Sequence, residues 1–280
     1  MKVSVTGSHG LIGSALVSFL TRHGHEVVRV PRGDFRIADG CGAVVHLAGE
    51  PIVGRWTAAK KRKIHDSRTQ GTQTLCDVLA GMAKRPRVLV SASAVGIYGD
   101  RGDELITEES ETGKGFLADV CRDWEAATKT ASRAEIRVVN LRVGVVLSPR
   151  GGVLGKTLLP FKLGLGGVIG DGRQYWSWIA IDDMVGVILH TLVDDRLRGP
   201  VNAVAPNPVT NREYTKTLGR VLRRPTALPL PAFVVRAAFG EMSDAVLLGG
   251  ARVQPKRLQE AGYEFRFPDL EEALRHLLAK

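Results

Sequence analysis

Along the start of the chain the hydrophobic positions change period twice. Val3-Ser4-Val5-Thr6 is a β-branched run, Leu11, Ala15, Leu16, Phe19 and Leu20 recur at helical spacing, and Glu26-Val27-Val28-Arg29-Val30 is β-branched again. Gly7-Ser8-His9-Gly10-Leu11-Ile12-Gly13 joins the first two, and Pro31-Arg32 closes the third. The pattern predicts strand, glycine turn, helix and strand. It continues in kind: a strand over Ala43–Gly49 ending in small residues, a helix carrying Lys60-Lys61-Arg62-Lys63 and running to about Ala83, a strand over Arg87–Ser93, a helical pattern from Phe116 to Arg133, and a strand over Arg137–Leu147 leading into Gly151-Gly152. Strands alternating with helices imply an α/β fold with a doubly wound parallel sheet that takes ligands at the carboxyl ends of its strands. Gly7, Gly49 and Ser93 are therefore expected along one edge.

Past this point the rhythm weakens. Pro160 to Arg173 is rich in glycine and reads as a loop covering a site, and Trp176, Trp178 and Ile179 lead to Asp182-Asp183 at the expected start of a helix over Met184–Val193. Val201–Val204 reads as a short strand, and Thr210 with Glu213 as a capping box for a helix ending near Arg223. Prolines at 225, 229 and 231 mark a boundary, followed by helices around Phe233–Leu248 and Leu270–Leu278, the latter opened by Asp269. The expected organisation is a dinucleotide-binding domain over 1–225, which includes part of a substrate lobe from about 150, and a smaller C-terminal domain over 226–280. No internal repeat or low-complexity tract interrupts it.

The glycine turn carries the chemistry. Gly7, Gly10 and Gly13, with two residues between each pair, permit a tight turn, a close approach of backbone to a pyrophosphate, and close packing of helix on sheet, with the phosphate at the helix N-terminus. The residue that closes the second strand discriminates between nicotinamide cofactors, because an acid there bonds a ribose 2′-hydroxyl and an arginine meets a 2′-phosphate. Arg32 favours NADP(H), with Asp34 a rival for the ribose.

At 280 residues and 44% hydrophobic content the chain can bury a sizeable core. Its net charge of +10 raises the question of nucleic acid, but the basic residues are scattered and the Lys60–Lys63 run reads as a solvated helix face. Cys41, Cys76 and Cys121 are too few and too far apart for a disulfide framework or a zinc site, so free buried thiols and no metal are expected. The first strand begins at once, without a leader pattern, and no apolar run approaches the ~20 residues of a membrane span. A cytoplasmic protein is expected, with a small-molecule substrate, no nucleic-acid or membrane partner, and a homodimer left open.

Thr6-Gly7-x-x-Gly10-x-x-Gly13, His46-Leu47-Ala48 and Gly71-Thr72 resemble the extended short-chain dehydrogenase/reductase superfamily. More narrowly, several motifs are similar to those of its atypical "epimerase family protein" branch of NADP-dependent sugar-nucleotide epimerase-like proteins. They are His46–Glu50, Ser67-Arg68, Ser91–Gly99, Phe116-Leu117 with Trp124-Glu125, Leu158–Phe161, Gly170–Gln174, Asn202–Asn211, and a C-terminal module from Pro231 through Met242 to the final helix. The resemblance implies NADPH held by Gly7, Ser8, Gly10, Leu11, Ile12 and Gly13, by Pro31-Arg32 and Leu47-Ala48 with Gly49, by Arg68, and by the strand near Val146. Arg68 stands where many extended members have asparagine, and its guanidinium is suited to a cofactor phosphate or a substrate anion.

Hydride transfer in this superfamily normally uses a tyrosine, a lysine four residues on, and a serine. Ser93 matches the serine, but Leu117 and Cys121 stand where tyrosine and lysine are expected, and none of the four tyrosines has a lysine four residues later. Proton transfer is therefore expected from Glu50, the acid that follows the third strand, or from an ordered water near Ser93, with both residues the candidate catalytic groups, while Tyr98, Arg173 and Gln174 are the candidate substrate contacts. A branch histidine after Trp-Ile is replaced by Ala180. The expected function is an NADP(H)-binding epimerase-like oxidoreductase acting on an unidentified substrate, nucleotide-linked by analogy. The alternative is a catalytically silent NADP(H)-binding regulatory or scaffold protein, for example one linked to cell division.

Overall fold

In the computed structural model, which describes residues 1–279, the first half of the chain alternates as the periodicity predicts. β1 (Lys2–Thr6), α1 (Leu11–Arg22), β2 (Glu26–Val30), β3 (Ala43–His46), α2 (Ala58–Gly81), β4 (Val88–Ala94), the short β5 (Leu105–Ile106), α3 (Phe116–Ala126), α4 (Lys129–Arg133) and β6 (Arg137–Val143) follow in order. The second half comprises β7 (Val145–Leu147), α5 (Gly152–Lys162), β8 (Tyr175–Trp176), β9 (Trp178–Ala180), α6 (Ile181–Val193), β10 (Gly199–Ala203), β11 (Val209–Thr210) and α7 (Asn211–Leu222). α8 (Ala232–Phe239), β12 (Arg252–Val253), α9 (Lys256–Glu260) and α10 (Leu270–Leu278) complete it.

Six strands form one parallel sheet in the order β10-β6-β4-β3-β1-β2. Strand order reverses between β1 and β3, which opens a crevice at their carboxyl ends. Alternation along the strands divides the core into two layers. Val3, Val5, Ala43, Val45, Val88 and Val90 meet α1 and α6 on one face, whereas Val44, Leu89 and Val138 meet Leu75, Cys76 and Leu79 of α2 on the other. The three cysteines are free and buried, as expected, and burial pushes the Cys76 thiol up to about 12.

Four local expectations need correction. The strand over 137–147 breaks at Gly144, where a Cβ would lie 2.2 Å from the Ser177 carbonyl oxygen, so β7 leaves the sheet to pair with β9. The glycine-rich stretch is partly helix, because α5 runs through Pro160 to Lys162 and buries Leu154 and Phe161. Gly152, Gly155 and the proline hid its period. Ala180, not the Asp182-Asp183 pair, caps α6, leaving both acids in its first turn. The helix expected across 233–248 divides at Gly240, whose φ of +60° ends α8 before a π-helical turn at Ser243–Leu248.

The C-terminal residues build no separate core. Every apolar cluster among the described residues that contains a residue beyond 226 also contains earlier ones: Leu258 packs with the sheet, and Leu270, Ala273 and Leu274 pack with Leu147, Trp178 and Tyr214. Asp183 fastens this return. Fully buried, it accepts the backbone N–H groups of Arg266 and Phe267 at 2.9 and 3.0 Å, while burial holds its carboxyl above the usual range. Asp183→Ala is expected to lower unfolding free energy by about 3 kcal/mol by removing the buried acceptor of two partly buried donors. Asp183→Asn, which keeps an acceptor oxygen, should lose less. Urea denaturation measures both, and an alanine variant as stable as the parent would show that the clamp contributes nothing.

Candidate cofactor site

The three glycines of the turn are small for different reasons. Gly7 has φ +65°, and a Cβ on it would lie 2.6 Å from the Leu47 carbonyl carbon, while one on Gly13 would lie 2.2 Å from the Gly7 oxygen. Those two positions serve the packing of β1, β3 and α1. A Cβ on Gly10 would meet only the Gly7 oxygen, at 3.3 Å, so this position faces outward. Gly10 caps α1 without a side-chain acceptor, the first turn contains no acid, and the Ser14 N–H to Gly10 bond at 2.9 Å is the first of the helix. The N–H groups of Leu11, Ile12 and Gly13 thus form a free, electropositive helix end. Arg29 of β2 braces the turn from below by donating to the Ser8 carbonyl at 2.9 Å.

The neighbouring strand end is held by a histidine. His46 is fully buried, with Nδ1 2.7 Å from the Thr6 hydroxyl and Nε2 3.0 Å from that of Thr72. Burial lowers its pKa to about 4, so it stays neutral and fixes Leu47, Ala48 and Gly49 between β1 and α2. On the opposite side, a Cβ on Gly152 would lie 3.1 Å from the Val146 oxygen and 3.3 Å from Leu11 Cδ2, so β7 and the start of α5 flank the turn.

Arg32 follows β2 with its side chain 86% exposed and 3.2 Å from Glu50 Oε2. Glu50 also accepts from Lys60 at 2.8 Å, and these cations hold its carboxyl below the usual range. Asp34, the rival for the ribose, is taken up by Arg36 in a forked pair with a 2.8 Å contact, which brings its pKa to about 2. Arg68 donates to the carbonyls of Glu50 and Ile64 at 2.9 and 3.1 Å and stacks 5.0 Å over Trp124. Its guanidinium carbon would touch a Cβ on Gly49 at 3.4 Å, so the glycine makes room for it.

Ser93, 3% exposed, donates to Glu125 Oε1 at 2.8 Å. Glu125 is bound by both Nε and Nη2 of Arg142 at 2.8 and 2.9 Å; Arg142 Nη1 donates to the Tyr98 hydroxyl, which donates in turn to Asn202 at 2.8 Å. Glu50 and Ser93 belong to different hydrogen-bond networks: the first pairs with Arg32 and Lys60, the second joins a buried chain running back into the sheet. Sequence reasoning missed Glu125 and Arg142. A charged residue in the apolar run Val138–Val143 was the available signal.

Two substrate candidates are corrected. Tyr98 is 0% exposed with both hydroxyl bonds satisfied inside the protein, and it belongs to the core. Gln174 is buried and its amide clamps the Ile169 and Leu247 carbonyls at 3.1 and 2.8 Å. Arg173 alone of the three is exposed. Leu117 packs beside Gly96 and Cys121 is buried with its thiol pushed up to about 11, so neither has the chemistry of the tyrosine or lysine expected there.

Residues 3–203 match the NAD dependent epimerase/dehydratase family, and residues 230–277 match a domain of unknown function, DUF1731. The chain belongs to the NAD dependent epimerase/dehydratase family. It is 42% identical to the epimerase family protein Mb2239 of Mycobacterium bovis, over 97% of this chain and 96% of that one. It is 38% identical to human SDR39U1 over the whole of both. The crystal structure of human SDR39U1 isoform 2 with NADPH superposes with a TM-score of 0.94 over 99% of each chain, at 37% identity. A nucleoside-diphosphate sugar epimerase from Corynebacterium glutamicum, 40% identical, superposes at 0.81 over 99% of this chain and 58% of that one.

The ion pairs around Glu50 have a measurable consequence. An NMR titration of its carboxyl should show a midpoint below the ordinary glutamate value, and Lys60→Gln should move it upward, since removing the cation removes the preference for the charged form. An unchanged midpoint in the variant would mean that Lys60 does not hold the carboxylate in solution.

Proposed function

We propose that the protein binds NADP(H) across the carboxyl ends of β1 and β3 and acts as an epimerase-like oxidoreductase on a small molecule. The observation that carries this reading is the free N-terminus of α1, with glycine at its cap, no acid in its first turn and an exposed arginine at the end of the neighbouring strand. Leu11, Ile12 and Gly13 would give their N–H groups to the pyrophosphate, with Gly10 leaving room for it. Pro31 and Arg32 would border the adenosine ribose, the guanidinium exchanging Glu50 for a 2′-phosphate. Leu47, Ala48, Gly49 and Val146 would line the path towards Ser93. The relative crystallised with NADPH supports the assignment. When bound, the nicotinamide supplies a hydride donor or acceptor.

The protein's own contribution to proton transfer centres on Ser93. Its hydroxyl is backed by the Glu125 carboxyl group, which Arg142 orients through two hydrogen bonds. Glu50 belongs to the phosphate end through Arg32, which leaves it the task of holding the arginine in place. A second reading, a silent NADP(H) binder, is favoured by one observation: the Ser93 proton points inward to Glu125 of α3, and that helix has Leu117 and Cys121 where a tyrosine and a lysine would stand.

Calorimetry tests the cofactor. NADPH should bind about ten- to a hundredfold more tightly than NADH, because charge-assisted bonds to the extra phosphate contribute roughly 1.5 to 3 kcal/mol. Arg32→Ala should erase the difference, and Gly10→Val should fold yet lose NADPH. Equal affinities for the two nucleotides in the parent protein would refute the assignment.

Single-turnover oxidation of bound NADPH against a metabolite panel separates the two readings. An enzyme should show oxidation that Ser93→Ala slows about a hundredfold or more while NADPH affinity stays within a fewfold. NADPH that binds but survives the whole panel unoxidised supports the silent binder.

A further inference from the structure

Seven of the twelve exposed large apolar side chains among the described residues lie on two stretches of chain that touch. Leu159, Leu163 and Leu165 belong to the end of α5 and the strap beyond it, whereas Leu228, Leu230, Phe233 and Val234 belong to the linker after α7 and the first turn of α8. Phe233, at 72%, and Leu159, at 66%, are the most open. Single apolar residues scattered over a surface are ordinary, but a cluster marks a binding face.

The two stretches lie side by side, and α7 borders them. A Cβ on Gly164, between Leu163 and Leu165, would come within 3.5 Å of the Pro225 ring, and one on Gly167 would overlap the Leu228 carbonyl oxygen. The Leu230 N–H donates to Val168 at 2.8 Å. Thr226 of the linker accepts from Lys216 Nζ at 3.2 Å, and a Cβ on Gly219 would press on its methyl group, so the linker runs along α7. At the start of α7, Arg212 donates to the Asp171 carbonyl at 2.7 Å, where the strap ends.

The same area is strongly basic. Residues 156–173 and 212–236 contain nine lysines and arginines, all exposed, against two acids, Asp171 and Glu213. Glu213 is taken up by the Thr210 N–H and hydroxyl at the cap of α7, at 2.7 and 2.9 Å. From other elements, Glu271 pairs with Arg220 at 3.3 Å and Asp244 with Arg236 at 2.9 Å. The remaining seven cations have no ion-pair partner among the described residues. Arg212, Lys216, Arg220 and Arg223 recur at helical spacing along the outer face of α7, and with Arg224 they line a groove of about 740 Å³. Cations in a last helical turn complement the helix dipole, but Arg212 stands in the first turn, where the dipole disfavours it. Arg223 has φ +53°, a left-handed position that glycine takes without strain, so the fold keeps an arginine there at a cost in stability.

The apolar side chains protrude from turns and helix ends, while the groove beside them is lined by cations. Protruding hydrocarbon bordered by unpaired cations fits a lipid bilayer with anionic headgroups, which accepts inserted side chains without a pocket and answers the charge. A second copy docking through the same face about a two-fold axis would set these cations against each other, and duplex nucleic acid would leave the leucines and Phe233 uncovered. We propose that this face seats the protein on an anionic membrane surface, with Leu163, Leu165, Leu228 and Phe233 entering the headgroup layer and Arg212, Lys216, Arg223 and Arg224 meeting lipid phosphates. None of the described helices is long and apolar enough to cross a membrane, and seating on a surface requires no such helix. The expectation of no membrane partner rested on apolar runs along the sequence, whereas here the fold gathers apolar positions from separate stretches. The face uses none of the residues assigned to the cofactor, so it stands independently of the NADP(H) reading.

Cosedimentation of the full chain with lipid vesicles at low salt tests this. Vesicles of phosphatidylcholine with an equal part of phosphatidylglycerol should pull the protein down, phosphatidylcholine alone should leave it in solution, and added salt should release it. Each cation near the surface contributes about fivefold to the partition constant, so the triple variant Arg212→Gln, Arg223→Gly, Arg224→Gln should weaken binding about a hundredfold. Arg223→Gly alone should leave the melting temperature level or raised while weakening binding about fivefold, a split that damage to the fold would not give. The double variant Leu163→Ser, Phe233→Ser, at an unchanged melting temperature, should weaken binding at least about tenfold. Failure of the parent protein to sediment with phosphatidylglycerol vesicles overturns the proposal. So does vesicle binding that the double variant leaves intact and that duplex DNA competes away, which would make the face a contact for polyanions in general. If the double variant instead converts a dimer to monomers and the parent ignores vesicles, the face lies between copies of the chain and the proposal is wrong.

Discussion

The whole carboxyl edge of the sheet depends on one steric limit, the absence of room for a side chain where the β1 turn passes the end of β3. Gly7 lies against the Leu47 carbonyl and Gly13 lies against Gly7, so strand, turn and helix meet through backbone alone. That closeness brings the start of α1 to the mouth of the crevice with its N–H groups uncovered. A methyl group at either glycine would push α1 off the sheet and separate Leu11 from Gly152, undoing the junction between the two halves of the molecule. Gly10 differs because it faces the open side, and its smallness benefits whatever occupies the crevice.

Two buried polar systems then set what surrounds the crevice. Neutral His46 ties the ends of β1 and β3 to Thr72 of α2, which gives a physical reason for the His-Leu-Ala and Gly-Thr motifs lying far apart in sequence but together in space. The Ser93–Glu125–Arg142–Tyr98–Asn202 chain links β4, α3, β6 and β10. A buried charge pair of this kind is costly to break from one side, because the remaining charge loses its partner. Arg142 is also stacked 5.1 Å from the Tyr98 ring, which leaves little freedom for any member of the chain to move.

Much of this was legible in the sequence where local pattern and local structure coincide. The turn, α1, the central strands and the Thr210–Glu213 capping box follow from periodicity and end signals, and the box is present with both of its bonds. α5 was not legible because Gly152, Gly155 and Pro160 are all poor helix formers, and the helix is held by packing of Leu154 and Phe161 on Trp176 and Tyr214. The partners of Ser93, the burial of Tyr98 and the clamp made by Gln174 were hidden for a different reason. Each has a partner 32 to 104 positions away, beyond the reach of spacing rules. Residue type announces that a polar group needs a partner, but only the fold says which one.

The return of the C-terminal segment onto both cores bears on how the protein is made. Leu258 completes the layer under the sheet, and Leu270 and Leu274 close the second core over Tyr214 and Leu147. The two apolar troughs therefore stay open to solvent until α9 and α10 have been made, and a chain lacking α10 would expose the apolar surface that cellular quality control recognises.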